Sequence, residues 1–375
     1  MTTFAGAADG AKPKYPFVFV SGYAGWGQYS GINETYQYWG MSSGDLLGYL
    51  NSRGFACYAA SVDPVGSAWD RACELYAQMT GTVVDYGRVH SALYKHSRYG
   101  TDYTGRALIP AWSETDKVNF VGHSFGGATV RLLSQLLAYG SPQEVTGTTE
   151  GEVSGLFTGG KTGWINSITT MASPHNGTTM TNLSKPVAFL LPKDGEKIVG
   201  VTDESSIAII NYLKDMTKIF TNGIGADTGV YDLSLDGAAQ LNKNLSTFGD
   251  IYYFSFPTDS TTSVRLSGTR VPSLKLTDIV LLPTGTYLGA AKGTTPGGIV
   301  YDKKWFNNDG IVNTISCYAP NGAPQKTFNA GSVTPGVWNV MPTFAGDHLS
   351  ITGGLTRAVD VKAFYLKQLS LINSL

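Results

Sequence analysis

A chain of 375 residues exceeds the usual single domain, yet an elaborated α/β domain with insertions reaches this length, so one domain over residues 1–375 is expected. Twenty-seven Lys and Arg nearly balance 28 Asp and Glu, no basic run appears, and aromatic residues are not interleaved with cations, which argues against nucleic acid as a partner. Apolar stretches such as Val187–Leu191, closed by Pro192, are far too short to span a bilayer, so no transmembrane segment is expected. Met1–Asp9 has neither a charged n-region nor an apolar h-region, so no signal peptide is read there; a mature secreted form carrying a new Met would look the same. Abundant glycine and tyrosine with little charge favours a secreted protein over a cytoplasmic one. Cys57, Cys73 and Cys317 form an odd set without a CxxC pair, and each is expected as a small core residue.

In chain order, Lys14–Gly22 reads as an apolar strand entering the glycine-rich loop Ser21–Gly27. Asp45–Asn51 has a helical pattern ending at Gly54, and Phe55–Val62 reads as a strand. Arg71–Met79 and Val83–Ser97 are expected as helices, and a strand starting near Lys117 leads through Val118–Val121 to Gly122-His123-Ser124-Phe125-Gly126. Ile165–Ala172 and Ile251–Phe256 are further buried strands, and the amphipathic Val359–Leu375 is expected to pack on the sheet. Strands alternating with helices imply a mainly parallel sheet flanked by helices. Between the last two strands, residues 176–230 differ in texture. Glycine and proline loops surround the amphipathic stretch Ile207–Phe220, which suits a lid over an apolar cleft. Phe189, Leu190, Ile209, Ile210, Leu213 and Phe220 are its candidate substrate contacts.

The pentapeptide around Ser124 is a nucleophile elbow: strand, sharp turn, helix, with glycines where a side chain would strike the neighbouring strand or helix. A serine hydroxyl is a poor nucleophile and needs an imidazole base oriented by a carboxylate. Of the five histidines, His90 and His96 precede the serine, against the order serine, acid, histidine of this elbow, and His123 sits inside it. His348, late in the chain before the final helix, is preferred over His175, which leaves little chain for an acid. Asp309, in the turn-forming Asn307–Asn313, is the preferred acid with Asp302 the alternative, while Asp347 suits a loop-bracing role. The oxyanion requires backbone donors, assigned to Phe125, which follows the nucleophile, and to Tyr23 after Gly22.

The chain resembles the zinc-containing bacterial true lipases of the Geobacillus and staphylococcal type. The resemblance covers most of the sequence and is carried by Gly25-Trp26-Gly27, Tyr38-Trp39-Gly40, Trp69–Cys73, Val84–Gly87, Ser173–Thr179, Tyr231–Ser234, Asn308–Thr314 and Asp347–Leu349. It implies an α/β-hydrolase fold with a lid insertion at about 176–230 and a zinc-binding extra subdomain at about 63–106. It also implies a triad of Ser124, Asp309 and His348, and one structural zinc held by Asp70, His90, His96 and Asp232. Histidines six apart on a continuous helix would face different ways, so the chain must bend between His90 and His96. Ser21 stands where the family has histidine, and Leu349–Thr356 lacks the carboxylates with which relatives bind calcium, so calcium is not expected.

The resulting expectation is a serine carboxylic ester hydrolase, a lipase acting on triacylglycerols and long-chain esters at a lipid–water interface. An esterase with a shortened lid that accepts bulky or polymeric esters is the alternative, and a non-catalytic binding protein of the same fold the remote one. Chain-length preference and oligomeric state are not legible.

Overall fold

The computed structural model describes residues 14–183 and 225–375. The first apolar run forms β1 (Phe17–Val20), followed by α1 (Leu46–Ser52), β2 (Cys57–Ala60) and α2 (Ala68–Thr80). Then come β3 (Val83–Asp85), α3 (Arg88–Tyr94), β4 (Tyr99–Asp102), β5 (Val118–His123) and α4 (Gly126–Tyr139). The chain continues through β6 (Ile165–Met171), α5 (Gly229–Leu233), β7 (Tyr252–Phe256), β8 (Gln325–Thr327), β9 (Trp338–Val340) and α6 (Lys362–Asn373). Seven strands make one sheet in the order β8-β9-β7-β6-β5-β1-β2, every pairing parallel.

The sequence explains this sheet directly. Parallel strands are covered on both faces and therefore read as unbroken apolar runs, and all residues of β1 and all of β5 are buried. Successive side chains point to opposite faces. Val18, Val20, Val118 and Phe120 enter a core under α2 and α4, whereas Phe17, Phe19 and Val121 enter a second core under α1 and α6. In α6, Tyr365, Leu369 and Ile372 supply the buried stripe. Each large apolar side chain buried this completely contributes roughly 1.5–3 kcal/mol. Cys57, Cys73 and Cys317 are all buried and unpaired.

One expected element is corrected. The stretch 83–97 is not a single helix but β3, a turn, and the two-turn α3, after which β4 pairs antiparallel with β3. Gly87, at φ 96°, breaks the run, and Lys95, at φ 63°, ends α3 in a left-handed conformation. That reversal is the bend required between His90 and His96. The lid helix expected at Ile207–Phe220, and with it Phe189, Leu190, Ile209, Ile210, Leu213 and Phe220, lies outside the described residues. Among the described residues no helix is long and apolar enough to cross a membrane.

Candidate active site

The connections after β1 and β5, which are neighbours in the sheet, run to opposite sides, toward β2 and β6 respectively. A crevice forms at the carboxyl ends of strands where connections diverge in this way. Ser21-Gly22-Tyr23 leaves the end of β1 and Ser124 the end of β5. Ser124 adopts φ 52°, a region that L-residues rarely occupy, and its amide donates to the Met171 carbonyl at 2.8 Å. The turn tolerates no extra carbon: a Cβ on Gly122 would meet Gly126 backbone at 2.7 Å, and one on Gly126 would meet the Val20 carbonyl at 2.2 Å.

Asp309 and His348 meet beside this elbow. His348 Nδ1 lies 2.9 Å from Asp309 Oδ2, and the His348 amide donates to the Asp309 carbonyl at 2.8 Å. Asp309 is fully buried, yet its carboxylate is satisfied. Oδ1 accepts from the amides of Ile311 and Val312 at 3.0 and 2.7 Å, and Oδ2 accepts from Thr258 Oγ1 at 2.5 Å as well as facing the imidazole. Fixed donors on both oxygens hold the Asp309 carboxylate where it can accept from His348 Nδ1–H, the tautomer that leaves a lone pair on Nε2. The ring of His123, next to Ser124 in the chain, lies 4.7 Å from that of His348.

The other candidates are engaged elsewhere. His175 Nε2 pairs with Thr170 Oγ1 at 3.1 Å and its ring packs on Trp338, where burial and then Arg131 hold its imidazole well below the usual range. Asp302 accepts from Lys304 N and caps its own turn. The Asp347 carboxylate accepts from the amides of Leu349, Ser350 and Asp278, the loop-bracing role.

Arg71 organises the loop after β1. From the buried face of α2 it donates to the carbonyls of Ser21, Gly22 and Asp63 and to Thr129 Oγ1, and its guanidinium lies 4.9 Å over the Phe125 ring. Carbonyl and N–H of one trans peptide point in opposite directions. Drawing the Gly22 carbonyl toward Arg71 therefore turns the Tyr23 N–H to the other side of that peptide. Burial lowers Arg71 to about 10, so it remains cationic at neutral pH.

A second cluster gathers side chains from α2, α3 and the segment ahead of α5. Asp70 in the first turn of α2, His90 on α3, His96 just past the Lys95 bend and Asp227 ahead of α5 bring one ligand atom each within 4.8 Å of one another. His90 Nε2 is 3.2 Å from Asp70 Oδ1 and 3.3 Å from Asp227 Oδ1, and His96 Nε2 is 3.4 Å from Asp227 Oδ2. Four N/O donors about 2.0–2.1 Å from a tetrahedral ion stand roughly 3.3 Å apart, so the spacing fits a metal. His96 Nδ1 faces the Ser97 carbonyl at 2.9 Å, which leaves Nε2 as the ring atom offered to the cluster. Buried Glu144 accepts from the amides of Val89 and His90 at 2.9 and 2.7 Å, capping α3 and setting His90.

The fourth residue of this cluster is Asp227, where Asp232 was expected. Asp232 lies five residues further on, in α5, where its Oδ2 accepts from the Ala68 amide at 2.7 Å and caps the start of α2. That carboxylate is committed to the backbone beside the cluster, and burial pushes its carboxyl up to about 7.

Residues 13–192 and 192–369 match the family described as "Lipase-like, C-terminal domain". The chain belongs to this lipase family. The lipase of Staphylococcus hyicus is 33% identical over 94% of the chain and 56% of its own length. The chain spans about half the length of the curated relatives it matches. Among solved structures, EstA from Clostridium botulinum superposes with a TM-score of 0.85 at 32% identity, covering 98% of this chain and 89% of that one. Lipase 1 from Pelosinus fermentans gives 0.77 at 34% identity, covering 97% and 99%.

Sequence reasoning missed Arg71, Thr258, Glu144 and Asp227 in this lipase-family site. Arg71 left a signal, a charged residue among Ala68, Ala72 and Leu75 on the buried face of α2. Thr258 and Glu144 left none, since only tertiary folding brings them to Asp309 and His90.

Proposed function

We propose that the chain is a carboxylic ester hydrolase of the lipase type working through an acyl-enzyme. The observation that carries this reading is the buried Asp309–His348 hydrogen bond set beside a serine held at positive φ. Ser124 Oγ attacks the ester carbonyl while His348 Nε2 takes its proton, and Asp309 keeps the ring in the required tautomer. The tetrahedral oxyanion is met by the amides of Tyr23 and Phe125, the former turned by Arg71. The alkoxide leaves with the proton from His348, and water deacylates Ser124 by the same route. Family membership supports lipid esters as substrates, taken from a lipid–water interface by an exported protein. Asp70, His90, His96 and Asp227 would hold one zinc ion, and four protein ligands would leave it no open position, so its role would be structural.

Ser124→Ala tests the reading. Hydrolysis of p-nitrophenyl esters should fall at least a thousandfold with an unchanged Tm, and retained hydrolysis would refute it. Chain-length profiling places the substrate: a maximum on long acyl chains with a jump at an oil–water interface supports a lipase. A maximum on short soluble esters, with activity on polyester film, would replace that substrate class with the bulky or polymeric esters of an open esterase.

A further inference from the structure

Three loops must keep register for the proposed chemistry: the one after β1 with Gly22 and Tyr23, the elbow with Ser124, and the one bearing His348. A single hydrogen-bonded chain joins all three. The Gly22 amide lies 2.9 Å from the Tyr38 hydroxyl, that hydroxyl 2.6 Å from His123 Nδ1, and His123 Nε2 2.9 Å from the His348 carbonyl.

Elementary chemistry fixes the direction of every link. A carbonyl only accepts, so His123 Nε2 carries the proton. Burial, and then the neighbouring His348, hold His123 well below the usual imidazole range, so the ring is neutral and Nδ1 is a lone pair. Tyr38 must then donate its one hydroxyl proton to Nδ1, which leaves its oxygen to accept from the Gly22 N–H. No other arrangement satisfies both ends, since one is an amide donor and the other a carbonyl acceptor.

The chain is also sterically clamped. The Tyr38 ring stands edge-on to Trp26 and Trp39, with centroids 5.1 and 5.4 Å away. A Cβ on Gly22 would come 3.1 Å from the Tyr38 hydroxyl and 2.7 Å from Ser124 Cβ. Tyr38 and His123 are almost wholly buried.

We infer that Tyr38 and His123 are positioning residues that hold the oxyanion loop, the nucleophile elbow and the catalytic-histidine loop in one register, an inference resting on the ester-hydrolase reading of Ser124, Asp309 and His348. Neither touches substrate. Both ends of the chain and its middle lie next to a working atom: Gly22 precedes Tyr23, His123 precedes Ser124, and the His348 carbonyl belongs to the base itself.

Tyr38→Phe removes the hydroxyl and keeps the packed ring. On a short soluble p-nitrophenyl ester, kcat should fall roughly ten- to a hundredfold, as expected for loosened catalytic geometry, with KM within about twofold of wild type. The rate of Ser124 phosphonylation by a p-nitrophenyl phosphonate should fall in parallel while the final titre stays at one per chain. His123→Gln, whose amide supplies both an acceptor and a donor, should keep more activity than His123→Leu. A Tyr38→Phe enzyme with kcat within twofold of wild type overturns the inference, as does a loss confined to KM or to the titratable fraction. Ser124→Ala, assayed beside these variants, separates the two claims. If it is inactive while Tyr38→Phe is fully active, only the positioning role fails; if it is active, the site reading fails and the inference with it.

Discussion

Ser124 occupies a backbone conformation that costs of order 1–3 kcal/mol, and it persists because the residues around it leave no alternative. Gly22 lies close enough to Ser124 that any side chain there collides with the serine. Gly22→Ala should therefore cut kcat at least a hundredfold, since the new methyl must displace either Ser124 or the peptide that carries the Tyr23 amide. Steady-state kinetics on a soluble ester check this, and activity within threefold of wild type would show that the loop after β1 stands apart from the reaction. At this scale the sequence was most legible where chemistry is local. The glycines flanking Ser124 announce their purpose from the pentapeptide alone. Asp232 was named from the resemblance and Asp227, five residues earlier, was passed over, because only the fold shows that the Asp232 carboxylate is committed to the Ala68 amide.

The element that joins the two sites is α2. Its first turn presents Asp70 to the metal cluster, while the next residue, Arg71, reaches the loop after β1. Ser67 and Asp232 cap this turn by accepting from Asp70 N and Ala68 N. Loss of the proposed zinc should therefore loosen the helix that positions the proposed oxyanion donor. Opposite it, α3 is a short helix whose Gly87 N-cap has no side chain, and Glu144 substitutes by accepting from its first amides. Glu144→Ala should lower bound zinc below one per chain at equal chelator and lower Tm, measured by metal analysis and thermal melts with and without added zinc. Unchanged metal content and Tm would remove Glu144 from the support of His90. The helix expected over 83–97 misled because Val83 and Val84 fit either period, whereas the break at Gly87 depends on Glu144, which arrives from elsewhere in the chain.

For the molecule as a whole, the parallel sheet places the ends of β1 and β5 side by side, and this one topological fact delivers the proposed nucleophile and the proposed oxyanion loop to the same crevice. Alternating strands and helices made five of the seven sheet strands readable from the sequence, since buried parallel strands have an apolar texture, whereas the three-residue β8 and β9 were too short to show one. The network from Gly22 to His348 was not readable, because its members are scattered over more than 300 residues and meet only in the fold. The central claim is that Ser124 is the nucleophile of an ester hydrolase, and covalent labelling tests it most directly. After treatment with diethyl p-nitrophenyl phosphate, peptide mass spectrometry should find one phosphoryl group per chain, on Ser124, with hydrolysis lost in proportion to labelling. A label on any other residue, or full labelling of Ser124 with hydrolysis intact, would contradict the account.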